Sequence, residues 1–374
     1  RFRDLGVDVF LGEAHFGSRD TVEVGGAVLR FKKAVIATGA RAATPPIEGL
    51  REAGFLTNET VFSLTERPRR LAVIGGGPIG CELAQTFQRL GAQVTLFHNK
   101  AHVLDREDPD AAEVLQKRFV REGVRLVVNA RITNVSRGNE GRTIRYQSNG
   151  NSDTATVDEI LVAAGRAPNV EGLNLETAGV HYDSRGGVEV NDRLQTTNPR
   201  IYACGDICLK WKFTHAADAA ARIVIQNALF LGRKKVSSLV MPWCTYTDPE
   251  IAHVGLTERQ AQEREIALDT FAQPMNEVDR SIADAETEGF AKVHVRRGTG
   301  QILGATIVAR HAGEMIGELT LAMTSGISLG KIANLIHPYP TQADAIRKVA
   351  DAYNRTRLTP SVKRILKAWL LWAR

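Results

Sequence analysis

Three glycines at G-x-G-x-x-G spacing, Gly75, Gly77 and Gly80, carry the clearest chemistry in this 374-residue chain. Each does something a side chain would obstruct: one permits a tight turn, one lets backbone approach a pyrophosphate, and one lets a helix pack closely on a strand. A helix opening at such a loop turns its free N–H groups and positive dipole end toward the phosphates. The spacing alone is also that of an ordinary glycine turn, so the flanking elements decide. Leu71-Ala72-Val73-Ile74 reads as a strand before the loop, and apolar Ile79, Leu83, Phe87 and Leu90 form a helical stripe after it. Gly91 then leads into Val94-Thr95-Leu96-Phe97, a second strand. The stretch from Leu71 to Lys100 is therefore expected to bind a dinucleotide.

The end of the second strand sets the cofactor. An NAD-preferring site places Asp or Glu there to take the ribose hydroxyls. Here that place falls on His98, 23 residues beyond Gly75, followed by Asn99 and Lys100. No acid is present and a cation is available to a 2′-phosphate, so NADP is expected over NAD. The alternative for Lys100 is a solvated surface lysine.

Composition narrows the class. With 48 basic and 42 acidic residues and 43% hydrophobic content, the chain is an ordinary globular protein whose basic residues are scattered except toward residue 374. That excludes a nucleic-acid partner. No run reaches the roughly eighteen apolar residues of a membrane span. Cys81, Cys204, Cys208 and Cys244 make neither a disulfide framework nor paired zinc half-sites. No metal site is expected, and a reducing, cytoplasmic location is.

The elements that must position these residues follow in order. Thr21–Val24, Gly25-Gly26 and Ala27–Phe31 read as a hairpin. Lys33 to Ala40 reads as a buried strand ending in a small-residue turn, and Val124–Val128, Thr143–Tyr146 and Ile160–Ala163 are strand-like. Ala37-Thr38-Gly39, the glycine fingerprint, Ala164-Gly165-Arg166-Ala167-Pro168-Asn169 and Tyr202-Ala203-Cys204-Gly205-Asp206 occur in that order. Together they resemble the motifs of the two-dinucleotide flavoprotein disulfide reductases, the class I pyridine nucleotide-disulfide oxidoreductases. The family includes dihydrolipoamide dehydrogenase, glutathione reductase and mercuric reductase.

The resemblance implies an α/β fold: two Rossmann-like dinucleotide-binding domains, the first incomplete, plus an α+β C-terminal dimerisation domain. It divides the chain into FAD-domain segments at 1–66 and 167–236, an NAD(P) domain at 67–166, a dimerisation domain at 237–358 and a tail helix at 359–374. Thr38 and Gly39 would close the first FAD segment, Gly165 and Arg166 would reopen it, and Gly205 and Asp206 would meet the flavin, with Asp206 accepting ribityl hydroxyls. The helix near Thr214-His215-Ala216 would aim its N-terminus at the flavin ring. Glu82 matches a glutamate that pairs in the family with a lysine beside the flavin. The family's first glycine fingerprint and its C-x-x-x-x-C redox pair are not in this sequence, so it is read as N-terminally truncated and inactive by itself. Cys204 and Cys208, separated by three residues at the Gly-Asp turn, are expected to be small buried residues.

Disulfide reductases add a His-Pro-Thr segment with a downstream glutamate, given by the partner subunit. The equivalent His337-Pro338-Tyr339-Pro340-Thr341-Gln342-Ala343-Asp344 puts Tyr339 where the histidine base belongs and Asp344 where its acid partner belongs. A tyrosine with its pKa near 10 is a poor proton shuttle at neutral pH. Mercuric reductases also place tyrosine there, but carry a C-terminal cysteine pair that this sequence does not show. The expected function is an FAD-dependent NAD(P)H oxidoreductase, mercuric reductase-like and homodimeric, acting on a small-molecule or disulfide acceptor. The alternatives are a non-catalytic nucleotide-binding and dimerisation module or a dihydrolipoamide dehydrogenase-like enzyme. Thr359-Pro360 starts a basic amphipathic helix whose apolar stripe packs on protein or touches a membrane peripherally.

Overall fold

A continuous apolar run such as Leu71–Ile74 suits a parallel strand buried on both faces. In the computed structural model, which describes residues 1–373, all four of these side chains are buried. They lie in strand β1 (Arg70–Ile74), followed by helix α1 (Pro78–Arg89) and strand β2 (Gln93–Phe97). Helix α2 (Pro109–Arg121), β3 (Arg125–Val127) and β4 (Glu159–Val162) complete a four-stranded parallel sheet in the order β4-β1-β2-β3. Leu71 pairs with Val94 and Ile74 with Phe97, so the two strands end level beside the glycine loop. An antiparallel three-stranded sheet, Arg131–Gly138, Gly141–Ser148 and Asn151–Val157, lies between β3 and β4 in sequence.

The expected apolar stripe of α1 is only partly the buried one. Its deepest face is Gly80, Cys81, Ala84 and Gln85, while Leu90 is exposed. Small residues allow the helix axis to approach the sheet, and Leu83 and Phe87 pack at the flank. Helix α2 has no counterpart in the sequence reading. Its signals are Asp108-Pro109 at the start and Ala111, Ala112, Leu115 and Phe119 on the buried face.

The same compact unit, Thr44–Ala164 with the chain from Val240 onward, holds a five-stranded antiparallel sheet. Its strands are β5 (Pro242–Thr245), β6 (Glu250–Gly255), β7 (Leu268–Pro274), β8 (Phe290–Arg296) and β9 (Ile302–Ala309), in the order β5-β6-β9-β8-β7. Helices α3 (Ala312–Thr324) and α4 (Asp344–Thr356) bury Met315, Ile316, Leu319, Ile346 and Val349 in its core. Helix α5 (Pro360–Trp372) follows.

The other unit joins Arg1–Ala43 to Gly165–Leu239. Its three-stranded meander turns at Gly25-Gly26, both at positive φ as a tight hairpin requires. The strand expected over Lys33–Ala40 is in fact two: Ala34–Ile36 pairs in parallel with Ile201–Ala203, and Ala40–Ala42 pairs antiparallel with Arg166–Pro168. Gly39, at φ +69°, makes the break between them. This topology brings three motifs, distant in sequence, to one place.

Candidate functional site

The glycine loop is built by steric exclusion. Gly75, at φ +115°, donates its N–H to Phe97 O at 2.9 Å, and a Cβ on it would lie 2.4 Å from Ala163 O. At Gly80 a Cβ would meet Gly75 O at 1.8 Å, so the helix sits on the loop as only glycine allows. Gly77 differs. It is the N-cap of α1, has an ordinary extended backbone, and a Cβ there would meet nothing within 4 Å. No side chain caps this helix and Pro78 occupies its first turn, so an open space faces an uncapped, twelve-residue helix N-terminus. A phosphate fits that combination.

His98 lies under the loop, where the sequence reading had it facing the ribose. The side chain is 7% exposed, and its Nδ1 accepts the Gly76 N–H at 3.1 Å. Burial holds its pKa below the usual histidine value, with nearby Asp105 opposing, so the ring is neutral and its Nδ1 stays an acceptor. The strand ends at Phe97, and His98 turns inward to lock the loop to it. Asn99 and Lys100 stay exposed just beyond, and the Lys100 carbonyl accepts from Asn129 N at 2.8 Å. Cys81 is fully buried with Sγ 3.4 Å from Gly76 O, and burial pushes its thiol well above the usual range.

Glu82, on the adjoining face of α1, is partly buried, which raises its pKa, and Oε1 accepts the Tyr246 N–H at 2.8 Å. Gln85 clasps Asp248 through both backbone groups at 2.8 and 2.9 Å. The segment after β5 thus grips α1.

In the other unit, Arg166 Nε donates to Asp206 Oδ2 at 3.0 Å and its NH2 group to Ala40 O at 2.7 Å. Lys212 Nζ donates to the Asp206 carbonyl, and burial lowers its pKa. Thr38 and Asn169 exchange hydrogen bonds at 2.9 Å, and Asn169 N donates to Gly39 O at 3.0 Å. Gly39 and Gly165 have open space where a Cβ would stand, and Gly205 turns at φ +78°. The helix Thr214–Leu229 starts without a side-chain cap and buries Ala216 in its first turn. Thr38, Gly39, Gly165, Arg166, Gly205 and Asp206 are thus gathered together. Asn169 and Lys212 join them although sequence reasoning gave neither a role; their reach across the turn is the missing signal.

The expected Tyr339–Asp344 pair does not form. Tyr339 is 76% exposed and its hydroxyl donates to Asp279 Oδ2 at 2.9 Å, which raises its pKa. Asp344 lies in the first turn of α4, where Arg347, one turn on, takes it at 2.8 Å. Next to them His337 Nε2 meets Glu318 at 3.0 Å.

A buried polar network ties α2 to the C-terminal sheet. Lys292 Nζ lies 2.8 Å from both Asp108 and Asp110, and His294 Nε2 is 3.3 Å from Asp108. Burial would raise the Asp108 pKa, but His294 and Lys292 outweigh it and hold the carboxyl well below its ordinary range. Trp243 Nε1 donates to Glu107 Oε1 at 2.5 Å and its ring leans on His253. Asp108, Glu258 and His294 alone would suit a metal ion, but the Lys292 ammonium already stands among these acids. Lys292 and His294 alternating with Ala291, Val293 and Val295 are the sequence signal for this network.

Comparison with known proteins agrees with this layout. Residues 2–221 match the family described as pyridine nucleotide-disulphide oxidoreductase, and residues 241–350 match its dimerisation domain. The chain is 37% identical over 352 residues to a mercuric reductase of Staphylococcus aureus, covering 94% of this chain and 64% of the relative. It is 33% identical to a dihydrolipoyl dehydrogenase of Geobacillus stearothermophilus, covering 92% of this chain and 74% of the other. Among solved structures, the HOCl-induced flavoprotein disulfide reductase RclA from Escherichia coli superposes with a TM-score of 0.85 at 28% identity, covering 94% and 81% of the two chains. The chain spans less than two thirds of the length of several mercuric reductases it matches.

Proposed function

Because the chain belongs to the pyridine nucleotide-disulphide oxidoreductase family, we propose that it supplies the nucleotide site and part of the flavin site of an FAD-dependent NADPH oxidoreductase. The observation that carries the proposal is Gly77: open space at an uncapped helix N-terminus, between two glycines that tolerate no side chain. When bound, the two cofactors supply the hydride chemistry, from nicotinamide to flavin and on to an acceptor. The protein's part is binding and orientation. Backbone N–H groups of α1 would hold the pyrophosphate, His98 keeps the loop in shape, and exposed Lys100 would take the 2′-phosphate. Arg166 fixes the Asp206 carboxylate so that its free lone pairs accept ribityl hydroxyls. The helix at Thr214 directs its dipole toward the flavin, where reduction builds negative charge.

Tyr339, exposed and tethered through its hydroxyl to Asp279, is the group proposed to meet the acceptor across a two-fold dimer. A tyrosine in the place of the histidine base, its pKa raised further by the hydrogen bond to Asp279, favours a mercuric reductase-like acceptor step over thiol-disulfide exchange of the lipoamide kind. The test is a fluorescence titration of the chain with NADPH. Saturable binding at one site, weakened in Gly77→Ala, is expected; no binding overturns the proposal.

A further inference from the structure

Helix α5 is well formed and covered by none of the described residues. Thr359 Oγ1 accepts the Val362 N–H at 3.3 Å as the N-cap, Pro360 opens the first turn, and every residue from Pro360 to Trp372 is exposed. Ile365 and Trp372 are 68% and 84% exposed. At 3.6 residues per turn, Val362, Ile365, Leu366, Trp369, Leu370 and Trp372 fall on one arc of about 160°. Lys363, Arg364 and Lys367 share the opposite side, and none of the three forms an ion pair with any described residue.

The charge is distributed unusually. Six of the chain's 48 basic residues and none of its 42 acidic ones lie beyond Asp351, so residues 1–351 are formally neutral and the whole net charge of +6 sits in residues 352–374. Lys363 and Lys367 are one turn apart, a like-charge pair that repels on an isolated helix. A water-facing helix surface ordinarily mixes both signs. A face that carries three cations beside Leu371, opposite an apolar face holding two of the chain's four tryptophans, complements an anionic lipid surface. Thirteen residues span about 20 Å, short of a hydrocarbon core of about 30 Å. Among the described residues no helix is long and apolar enough to cross a membrane.

We infer that α5 is an in-plane anchor for anionic bilayers: its apolar arc enters the acyl boundary while Lys363, Arg364 and Lys367 meet lipid headgroups. The full chain is floated with vesicles of phosphatidylcholine alone and of phosphatidylcholine mixed with phosphatidylglycerol, with tryptophan emission recorded in parallel. Flotation with the mixed vesicles only, a blue-shifted emission and release by high salt are expected. Each cation removed weakens binding about five-fold, so the combined Lys363→Glu, Arg364→Glu and Lys367→Glu variant loses more than about 100-fold. Ile365→Ser with Trp369→Ser abolishes flotation at unchanged charge. No flotation of the parent, or equal flotation of the charge-reversed variant, overturns the inference. So does a parent that stays off vesicles while the serine variant alone falls from dimer to monomer by light scattering, which would assign the face to a second copy.

Discussion

Two alanine substitutions in the same glycine motif should fail in different ways. At Gly77 the new methyl enters open space and the backbone is already extended, so nothing in the chain resists it. Alanine is a poorer N-cap than glycine by about 0.5–1 kcal/mol. Its narrower unfolded ensemble returns about 0.4–1 kcal/mol. Stability should therefore change by less than about 0.5 kcal/mol. The methyl nevertheless stands where a pyrophosphate must approach, and the NADPH Kd should rise about 10- to 100-fold, equivalent to about 1.4–2.8 kcal/mol. At Gly80 the methyl lands 1.8 Å from the Gly75 carbonyl, a backbone atom that cannot swing aside. Overpacking of about 3 kcal/mol outweighs a helix-propensity gain of about 1 kcal/mol. A net loss of about 2 kcal/mol should appear in urea unfolding. Both variants are assayed by unfolding and by NADPH fluorescence titration. If Gly77→Ala binds NADPH as the parent does, or is as unstable as Gly80→Ala, the open cradle at Gly77 is not a phosphate site.

Lys292→Met leaves the Asp108 carboxylate, 2% exposed, without its ammonium partner and held by His294 and the Glu258 N–H, and should cost about 3 kcal/mol in urea unfolding; a loss below about 1 kcal/mol would mean that the network is not held by charge. Glu107 is pushed up by burial from its usual 4.5 to about 7, against the opposing hydrogen bond from Trp243. Its folded pKa is raised, so its stabilising contribution is full below the unfolded pKa and lost as pH rises through about 7. Unfolding free energy should fall from about pH 5 to about pH 8 in the parent and flatten in Glu107→Gln; parallel profiles would contradict this. Tyr339→Phe removes an exposed hydroxyl and should leave stability and NADPH affinity unchanged while raising the acceptor KM up to about ten-fold, read by steady-state kinetics.

The local part of this architecture was legible. A strand, a glycine turn and a helix depend on neighbours a few residues apart, and the run from Leu71 to Phe97 states them directly. Orientation was harder to read. His98 was locatable by counting, but whether its ring faced the ribose or the loop depended on the Gly76 N–H offering it a bond. The Asp108-Pro109 start of α2 is a readable helix signal in a segment that holds no functional motif. The partners of Tyr339 and Lys292 were not readable, since Asp279 and Asp108 lie 60 and 184 residues away in sequence and only the folded sheet brings them near.

The central claim is that the Gly75–Gly80 loop, with Lys100 beyond it, receives NADPH. The direct measurement is a calorimetric titration of the full chain with NADPH and, separately, with NADH. One site per chain is expected, about ten-fold tighter for NADPH, with the preference abolished by Lys100→Glu. Equal affinities that Lys100→Glu leaves untouched, or no binding of either nucleotide, would contradict the account.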